Sequence, residues 1–515
     1  MNIADMLKQN AEKYPDDVAL VELKPEQALR KQVTWKEFDD TANRIANLLI
    51  ERGIRKGDKV VHLMMNSITW LEAYFGIIRT GAWAVPLNFR FLAKDISYCV
   101  DISEAGAMVL SEEFTDRVNE IRPQFPAMEY YFAGQEVPEG MTDLVSAIKD
   151  VSSQPPGIPL SNDDVCGLYF TSGTTGDPKP IVLTHGNMEF AAVTEQRHHY
   201  QQHEDNFILI PPLYHTGAKM HWFGNLLVGA KTTILTGVNP QSILQAVDSE
   251  KGTIVWLLVP WAQDILGALD RKEIDINNYN LSNWRLMHIG AQPVPPSLVK
   301  RWKTYFPDMQ YDTNYGLSES TGPGCIHLGI ENEHKVGAIG KAGEGWQVRI
   351  VDDQGNDVAP GQNGEIIVKG AGVMREYYKN PSKTAETLRD GWLYTGDIAR
   401  EDEDGFIYLT DRKKDVVITG GENIYPVEVE DIIQSHPAVH DVAVIGIPDE
   451  RLGEIAAAII DPEPGARLDE DEVRAFCEEH LPRYKRPRRI FFDKVPRNPT
   501  GKIEKPLLRK AYSER

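Results

Sequence analysis

The stretch TWKEFDDTANRIANLLIERGIRKGDKVVHLMMNS, residues 34–67, indicates the fold class of this 515-residue chain. Its first half carries apolar side chains at helical spacing, at Phe38, Ala42, Ile45, Ala46 and Leu49. The helical pattern stops at Gly53, and the strand-like run KVVHLMM follows it. Because a helix that leads into a short β-rich run is the repeating unit of α/β domains, the stretch predicts an α/β fold.

Similar units recur on the C-terminal side of this stretch. The short β-rich runs DNFILIPPL, KTTILT, TIVWLLVP and WRLMHIG alternate with helical patterns such as PQSILQAVDSEK. This alternation predicts largely parallel, buried sheets in a large N-terminal domain. After about residue 340, β runs are separated by the turn clusters DDQG and GQNG, which predict hairpins in a smaller β-rich subdomain.

The last hundred residues form a separate pattern. HDVAVIGIPDE and EIAAAIID predict strands and LDEDEVRAFCEEH predicts a helix, so we expect a small α+β domain. We predict an N-terminal domain at residues 1–411 and a C-terminal domain at residues 412–515. Residues 483–515 contain 12 Lys and Arg against 3 Asp and Glu. This basic tail is typical of a polyphosphate-binding patch, and equally of a solvated terminal face.

Composition excludes several classes of protein. The chain is 42% hydrophobic and 25% charged, as globular domains are, and its formal net charge of −21 disfavours nucleic acid and anionic membranes as partners. It has neither an apolar signal-peptide core near its start nor a run of 18 apolar residues, so we expect no integral membrane segment. Four widely spaced cysteines indicate neither a disulfide framework nor a zinc cluster, which favours a reducing, cytoplasmic location.

The strongest chemical signal is YFTSGTTGDPKPIVLTH, residues 169–185. An apolar run leads into hydroxyl and glycine residues whose O–H and backbone N–H groups can surround an anion, namely Thr171, Ser172, Gly173, Thr174, Thr175 and Gly176. Lys179 adds a positive charge. A run of this composition is also typical of a linker, but its place directly after a strand favours a phosphate loop. It is not a Walker A motif, because only two residues separate the glycines, so a P-loop NTPase is disfavoured.

Seven further motifs follow in the chain. They are PLYH at 212–215, GAQ at 290–292, NYGLSE at 314–319, YTGD at 394–397, DRKKD at 411–415, GGENIYP at 420–426 and NPTGK at 498–502. Together with the phosphate loop they resemble the acyl-adenylate-forming superfamily of acyl-CoA synthetases, adenylation domains and luciferase. The chain is most similar to an AMP-forming acyl-CoA synthetase. The resemblance covers nearly the whole chain and implies a mobile C-terminal domain.

The resemblance also implies a reaction and roles. A carboxylate attacks the α-phosphate of ATP, pyrophosphate leaves, and a thiol captures the acyl adenylate. Lys502 matches the lysine that reaches the carboxylate and α-phosphate, and Glu319 matches the ligand of Mg²⁺, a cation that prefers oxygen donors. Ser318 stands where the family usually has Thr, and either hydroxyl can donate to the α-phosphate. His215 resembles a residue at the mouth of the acyl pocket.

The remaining positions implied by the resemblance bind ATP, AMP or coenzyme A. Six resemble adenine-binding segments: Gly290, Ala291, Gln292, Asn314, Tyr315 and Gly316. Asp397 and Arg412 resemble ribose contacts, Gly421 resembles the glycine beside the pantetheine of CoA, and Lys414 matches the hinge between domains. One departure is Pro180, where the family usually has Gly; proline removes a backbone donor, so we expect a stiffer loop.

These observations predict an AMP-forming acid–thiol ligase whose partners are a carboxylic acid, ATP and CoA. The alternative is an adenylating enzyme that loads a separate carrier protein. An amino acid substrate is disfavoured because LYHTGAKMHWFG lacks the Asp that anchors an α-amino group, whereas luciferase-like oxidation stays open. The hypothesis that the protein is a non-catalytic nucleotide-binding relative is disfavoured, because the chain has Glu319, Asp397, Arg412 and Lys502. No partner signal decides the oligomeric state, and a homodimer is compatible with the sequence.

The residues after His215 bear on the acid. Thr216, Gly217 and Ala218 are small, and Trp222 and Phe223 are expected to form an apolar wall. This composition favours a medium-chain, alicyclic or aromatic acid over acetate. Because no His or Cys residues stand at metal-ligand spacing, we expect no metal other than Mg²⁺ (or Mn²⁺) arriving with ATP.

Overall fold

A computed structural model describes residues 1–171, 178–290, 293–420, 422–498 and 502–513, without the side chain of Pro323. The helices of this part of the chain are α1 (Ile3–Lys13), α2 (Trp35–Glu51), α3 (Ile68–Arg79), α4 (Ala93–Ser103), α5 (Thr115–Ile121), α6 (Leu144–Ala147), α7 (His185–His198), α8 (Thr216–Val228), α9 (Pro240–Glu250), α10 (Val259–Asp270), α11 (Pro296–Tyr305), α12 (Pro381–Thr387), α13 (Pro426–Gln434), α14 (Glu470–His480) and α15 (Lys505–Tyr512).

The strands precede, separate and follow these helices. They are β1 (Val18–Lys24), β2 (Leu29–Thr34), β3 (Lys59–Leu63), β4 (Trp83–Pro86), β5 (Ala107–Ser111), β6 (Glu129–Ala133), β7 (Thr142–Asp143), β8 (Val165–Thr171), β9 (Lys179–Thr184), β10 (Asn206–Leu209), β11 (Lys231–Leu235), β12 (Ile254–Leu258), β13 (Leu286–Gly290), β14 (Gln310–Asp312), β15 (Asn314–Leu317), β16 (Gly322–His327), β17 (Lys341–Ala342), β18 (Gln347–Val351), β19 (Gly364–Lys369), β20 (Glu376–Tyr377), β21 (Leu388–Arg389), β22 (Trp392–Glu401), β23 (Ile407–Arg412), β24 (Val417–Thr419), β25 (Glu422–Ile424), β26 (Val439–Asp449), β27 (Gly453–Pro462) and β28 (Arg489–Phe492).

Two large sheets organise the first 380 residues. One has the order β14-β13-β12-β10-β11-β1-β2 and is parallel except at β2. The other has the order β20-β9-β8-β4-β3-β5-β6-β7 and is parallel from β8 to β7, whereas β9 and β20 add antiparallel edge strands. The predicted α/β class with largely parallel sheets is confirmed.

The helix in residues 34–67 is confirmed as α2, and its ends follow from its sequence. Thr34 and Glu37 form a capping box, in which each side chain accepts a hydrogen bond from the other residue's backbone N–H. The five apolar residues predicted to share one face are all buried. They pack within the core that α2 shares with α1 and α3.

The β-rich part after residue 340 consists of hairpins, as its turn clusters predict. Strands β18, β19, β22 and β21 form an antiparallel sheet to which β23 adds through β22. The pairing of β22 with β23 places Asp397 opposite Arg412, two residues that are 15 positions apart in the chain. This register brings two predicted nucleotide-binding side chains to one place.

The C-terminal elements form their own sheet, in the order β25-β24-β27-β26 with β28 beside β27, and two apolar clusters cover its faces. The predicted boundary between residues 411 and 412 stays a prediction. Part of the basic tail is neutralised within this unit by the ion pairs Lys485–Glu428, Arg486–Glu478, Arg497–Asp441, Lys505–Glu430 and Arg509–Asp415. The excess of positive charge at its surface is therefore smaller than the residue count suggests.

Within the described residues, every helix is too short or too polar to cross a lipid bilayer.

Candidate active site

A cavity of about 1000 Å³ lies at the carboxyl ends of the strands of the first sheet. Residues that directly follow β10, β12 and β14 line it, among them Pro211, Val259 and Thr313. In open α/β sheets this edge is where ligands bind. The opposite wall comes from β22, β23 and the C-terminal residues up to Lys505, so both predicted domains contribute to one cavity.

One end of the cavity is built around Asp397, which is buried. The Tyr315 hydroxyl donates to Asp397 Oδ2 over 2.6 Å, and Arg412 Nε lies 3.6 Å from Oδ1. Burial raises the pKa of Tyr315, and the adjacent Asp397 adds to that shift, so the phenol keeps its proton and remains a donor. The carboxylate is thereby held in one orientation beside a cation, an arrangement suited to accepting hydrogen bonds from a pair of hydroxyls.

Glu319 stands on a short 3₁₀ turn, Ser318–Ser320, that lines the same cavity. The Tyr377 hydroxyl donates to Glu319 Oε1 over 2.8 Å. Burial raises the pKa of Tyr377, and the charge of Glu319 raises it further. Because a carboxylate offers about four lone-pair positions, this hydrogen bond leaves it able to bind a hard cation such as Mg²⁺.

Lys502 also lines this cavity, although it belongs to the C-terminal part. Its backbone is held in a tight turn, where Lys502 N–H donates to Asn498 Oδ1 over 3.0 Å and Asn498 N–H donates to Lys502 O over 2.9 Å. The bidentate pair of Arg497 with Asp441 fixes the start of that turn. Desolvation, assisted by the nearby Arg412 cation, lowers the pKa of Lys502 to about 8.

This pKa predicts an alkaline limb in the pH profile of adenylation. Lys502 is a cation below about pH 8 and neutral above it, so kcat/KM should fall as pH rises through that value. Pyrophosphate exchange measured from neutral to alkaline pH tests this. In Lys502→Arg the guanidinium stays charged, so the limb should disappear even if the overall rate is lower. An unchanged limb in that variant would assign it to another group.

His215 lies at the N-terminus of α8 and lines the cavity. Burial lowers its pKa to about 3, and the charges of Lys502 and Lys219 contribute, so the imidazole is neutral at physiological pH. It is therefore a hydrogen-bonding group and not a cation toward an acid substrate. The adjacent Thr216 and Gly217 also line the cavity.

Residues 7–378 match the family model described as AMP-binding enzyme, and residues 428–502 match that of the AMP-binding enzyme C-terminal domain. The chain belongs to the AMP-binding enzyme family. It is 34% identical to a feruloyl-CoA synthase of Amycolatopsis sp over 485 residues, covering 93% of this chain and 94% of that protein. It is 32% identical to the long-chain-fatty-acid–CoA ligase FadD13 of Mycobacterium tuberculosis over 526 residues, covering 99% of each.

A solved structure agrees with these matches. The anthranilate CoA ligase AuaEII in complex with anthranoyl-AMP superposes with a TM-score of 0.91 at 26% identity, covering 99% of this chain and 97% of that one. The predictions of family, fold class and an acid–CoA ligase are confirmed. The use of ATP or AMP and of CoA agrees with the family, whereas Mg²⁺ stays a prediction.

The predicted phosphate loop lies between β8 and β9 in the chain, and the flanking residues Thr171 and Lys179 are paired across these two strands. Thr171 lines the cavity. The predicted loop residues Ser172, Gly173, Thr174, Thr175 and Gly176 lie outside the described residues. Pro180 lies within β9, where its carbonyl accepts from the Tyr378 N–H over 2.8 Å.

The adenine segments are described in part. Asn314, Tyr315 and Gly316 line the cavity, and Gly290 ends β13 next to it. A Cβ at Gly290 would lie 3.3 Å from Trp256 Nε1 and 3.4 Å from His288 Nε2, so glycine permits this close packing. Ala291, Gln292 and Gly421 lie outside the described residues.

The expected apolar wall differs from the structure. Trp222 and Phe223 are fully buried and pack on Phe38, Tyr74 and Phe75 of α2 and α3, away from the cavity. The reason is distance along the helix: they lie six and seven residues after Thr216, roughly 9–10 Å farther along α8, and so reach the core and not the cavity at the start of the helix.

Sequence reasoning missed two side chains of the site, Trp256 and Tyr377. Trp256 on β12 lines the cavity in place of the tryptophan of α8, and Tyr377 orients Glu319 from β20. The position of Trp256 near the carboxyl end of a buried strand was a usable signal, because ligands bind at that edge. No sequence signal pointed to Tyr377, because its contact with Glu319 joins residues that are 58 positions apart in the chain.

Proposed function

We propose that this AMP-binding enzyme is an acyl-CoA ligase for an aromatic or alicyclic carboxylic acid, which it activates as an acyl adenylate with Mg²⁺ and ATP. The observation that supports it best is that Lys502 and Glu319, which are 183 positions apart in the chain, share one cavity with Asp397. A displacement at phosphorus needs charges placed around the reacting phosphate more than it needs a protein nucleophile.

Each residue has a role in this proposal. Asp397, oriented by Tyr315, accepts hydrogen bonds from the ribose hydroxyls, and Arg412 balances its charge. Lys502 neutralises charge on the α-phosphate and the attacking carboxylate while the new bond forms. Glu319, oriented by Tyr377, and the Ser318 hydroxyl serve the phosphates, with Glu319 as the protein ligand of the magnesium that accompanies ATP.

The proposed acyl end of the cavity lies beyond His215 and is largely apolar. It is lined by Trp256, Leu258, Val259, Val294, Ala338 and Ile339. A flat ring fits between an indole and branched aliphatic side chains, and its burial supplies binding energy that acetate cannot supply. The names of relatives, a feruloyl-CoA synthase and an anthranilate CoA ligase, support this class of acid.

A panel of acids tests the substrate class. With ATP, Mg²⁺ and CoA, substituted benzoates, cinnamates and cyclohexane carboxylates should exceed acetate in kcat/KM by about 10²-fold or more, because several carbons gain burial. Pyrophosphate release and CoA consumption report the two half-reactions. A preference for acetate would contradict the proposed pocket.

The same assay separates the proposal from its alternative. A CoA ligase turns over without any added protein, whereas an enzyme that loads a carrier protein releases pyrophosphate slowly and leaves CoA thiols intact. Pyrophosphate release without CoA consumption across the whole panel would favour the carrier-loading function.

A further inference from the structure

A cluster of buried histidines and carboxylates lies behind the wall of the cavity. Its members come from α7 and its C-terminal cap, from α8, and from strands β13, β14 and β16, namely Glu195, His199, His221, His288, Asp312 and His327. Each of these side chains is at most 1% exposed. Burying so many ionisable groups is costly unless they are paired or bind a cation.

Glu195, His199 and His221 offer one donor atom each, all within 4.8 Å of one another. Glu195 and His199 are four residues apart at the end of α7, so they share one helix face. Glu195 Oε2 lies 3.4 Å from His199 Nδ1 and 2.8 Å from His221 Nδ1. Two ligands about 2.0–2.1 Å from a tetrahedral zinc ion lie roughly 3.4 Å apart, so the first separation already fits and the second must widen by about 0.5 Å.

The contact between Glu195 and His221 is short, and the two groups attract one another, but it lacks the alignment of a good hydrogen bond. By that geometry Glu195 Oε2 and both ring nitrogens of His221 are without a hydrogen-bond partner among the described residues. Buried polar atoms of native proteins are nearly always satisfied by protein, water or an ion. A cation bound by these atoms would satisfy them.

Neighbouring groups orient two of these ligands. Asp312 Oδ2 lies 2.9 Å from His199 Nε2, so this nitrogen carries the proton and Nδ1 presents its lone pair. Asn314 Nδ2 donates to Glu195 Oε1 over 2.8 Å and leaves Oε2 toward the histidines. A carboxylate behind a metal-binding histidine is the usual support of such sites.

His288 lies beside these three residues. Its ring centroid lies 4.5 Å from that of His221 and 4.8 Å from that of His199. It belongs to neither set of donor atoms that lie within 4.8 Å of one another among the described residues, so it borders the site and is not one of its ligands.

We propose that Glu195, His199 and His221 provide three ligands for a divalent transition metal ion of the zinc class. Two imidazoles and one carboxylate suit zinc, whereas Mg²⁺ requires oxygen donors. Asp312, His199 and His327 also lie within 4.8 Å of one another, but that second set would use His199 Nε2, which faces Asp312 as a donor. The site joins α7 to α8, and through Asn314 it supports the wall of the cavity.

The buried ligands determine how the site must be tested. Because no ligand is more than 1% exposed, the ion enters as the chain folds, and adding metal to folded protein is not informative. The full chain is therefore expressed in minimal medium with Zn²⁺ or with Co²⁺, dialysed against metal-free buffer and analysed by mass spectrometry. We expect one equivalent of metal per chain, and for cobalt the intense visible bands of a four-coordinate ion.

His199→Gln and His221→Gln should each lose the stoichiometric metal. His62→Gln is the matched control, because His62 is fully buried on β3 outside this cluster and should keep it. If the cluster variants do not fold, wild-type protein unfolded in guanidinium with EDTA is refolded with or without Zn²⁺, and zinc should raise Tm by several degrees.

Two results would overturn the site. The first is a wild-type protein that contains less than a tenth of an equivalent of metal after growth in either medium and whose refolding yield and Tm do not change with zinc. The cluster would then be a hydrogen-bonded network without a metal ion. The other is metal content that stays equal in wild type and His221→Gln, which would place the ion elsewhere in the chain.

Discussion

Lys502→Ala is expected to lower the rate of adenylation by about 10² to 10³, the usual cost of removing one group that stabilises charge in a transition state. The structure places Lys502 in the cavity that holds Asp397 and Glu319. Its charge acts while the carboxylate attacks phosphorus. When a thiol attacks the finished adenylate, charge develops on the acyl oxygen and on the leaving AMP, but we expect the C-terminal domain to have rotated and withdrawn Lys502 by then. Thioester formation from synthetic acyl adenylate should therefore change little.

Pyrophosphate exchange and thioester formation are timed separately in this variant. Lys494→Ala is the matched control, because Lys494 is exposed in the same part of the chain and should leave both rates unchanged. Circular dichroism and Tm show that the fold is retained. Equal losses in both half-reactions would remove Lys502 from its proposed role.

Lys414→Pro is expected to depress thioester formation by about 10²-fold while adenylation is largely kept, since a displaced reacting group typically costs that factor. In this structure Lys502 enters the cavity, whereas none of the described residues of the β24–β25 hairpin, next to Gly421, lines it. One arrangement of the C-terminal domain cannot bring both Lys502 and the hairpin next to Gly421 to the cavity. We therefore expect rotation about Lys414 between the half-reactions.

The backbone at Lys414 explains why the proline variant should impair thioester formation and not adenylation. Its φ is not in the positive range, and its N–H donates no hydrogen bond to another described residue, so proline removes no backbone hydrogen bond from the present arrangement. Proline then restrains the change of φ that rotation requires. Lys414→Ala removes the same charge but leaves the backbone free, and it should retain both rates far better. Proportional losses in Lys414→Pro would contradict the rotation.

Local sequence rules account for the elements of the fold. Thr34 and Glu37 begin α2 through contacts three residues apart, and a period of 3.6 residues puts the apolar face of that helix into the core. The alternation of helix and strand was sufficient for the α/β class. Trp222 and Phe223 show the limit of reasoning from proximity along the chain, because they lie two turns of α8 beyond His215 and pack into the core.

The amino-acid sequence by itself determined the family, the acid–CoA ligase chemistry and most residues assigned to ATP, because each motif is a short segment whose residue types and spacing carry its chemistry. Only the tertiary structure decided what those segments meet. The strand register places Asp397 opposite Arg412, Tyr377 reaches Glu319, and β12 supplies Trp256 to the acyl end. The histidine cluster is the strongest case, since helical spacing relates only Glu195 to His199, and His221 joins them from another helix. Packing of helices against a sheet brings together side chains that are far apart in the chain, and spacing along a sequence holds no record of such contacts.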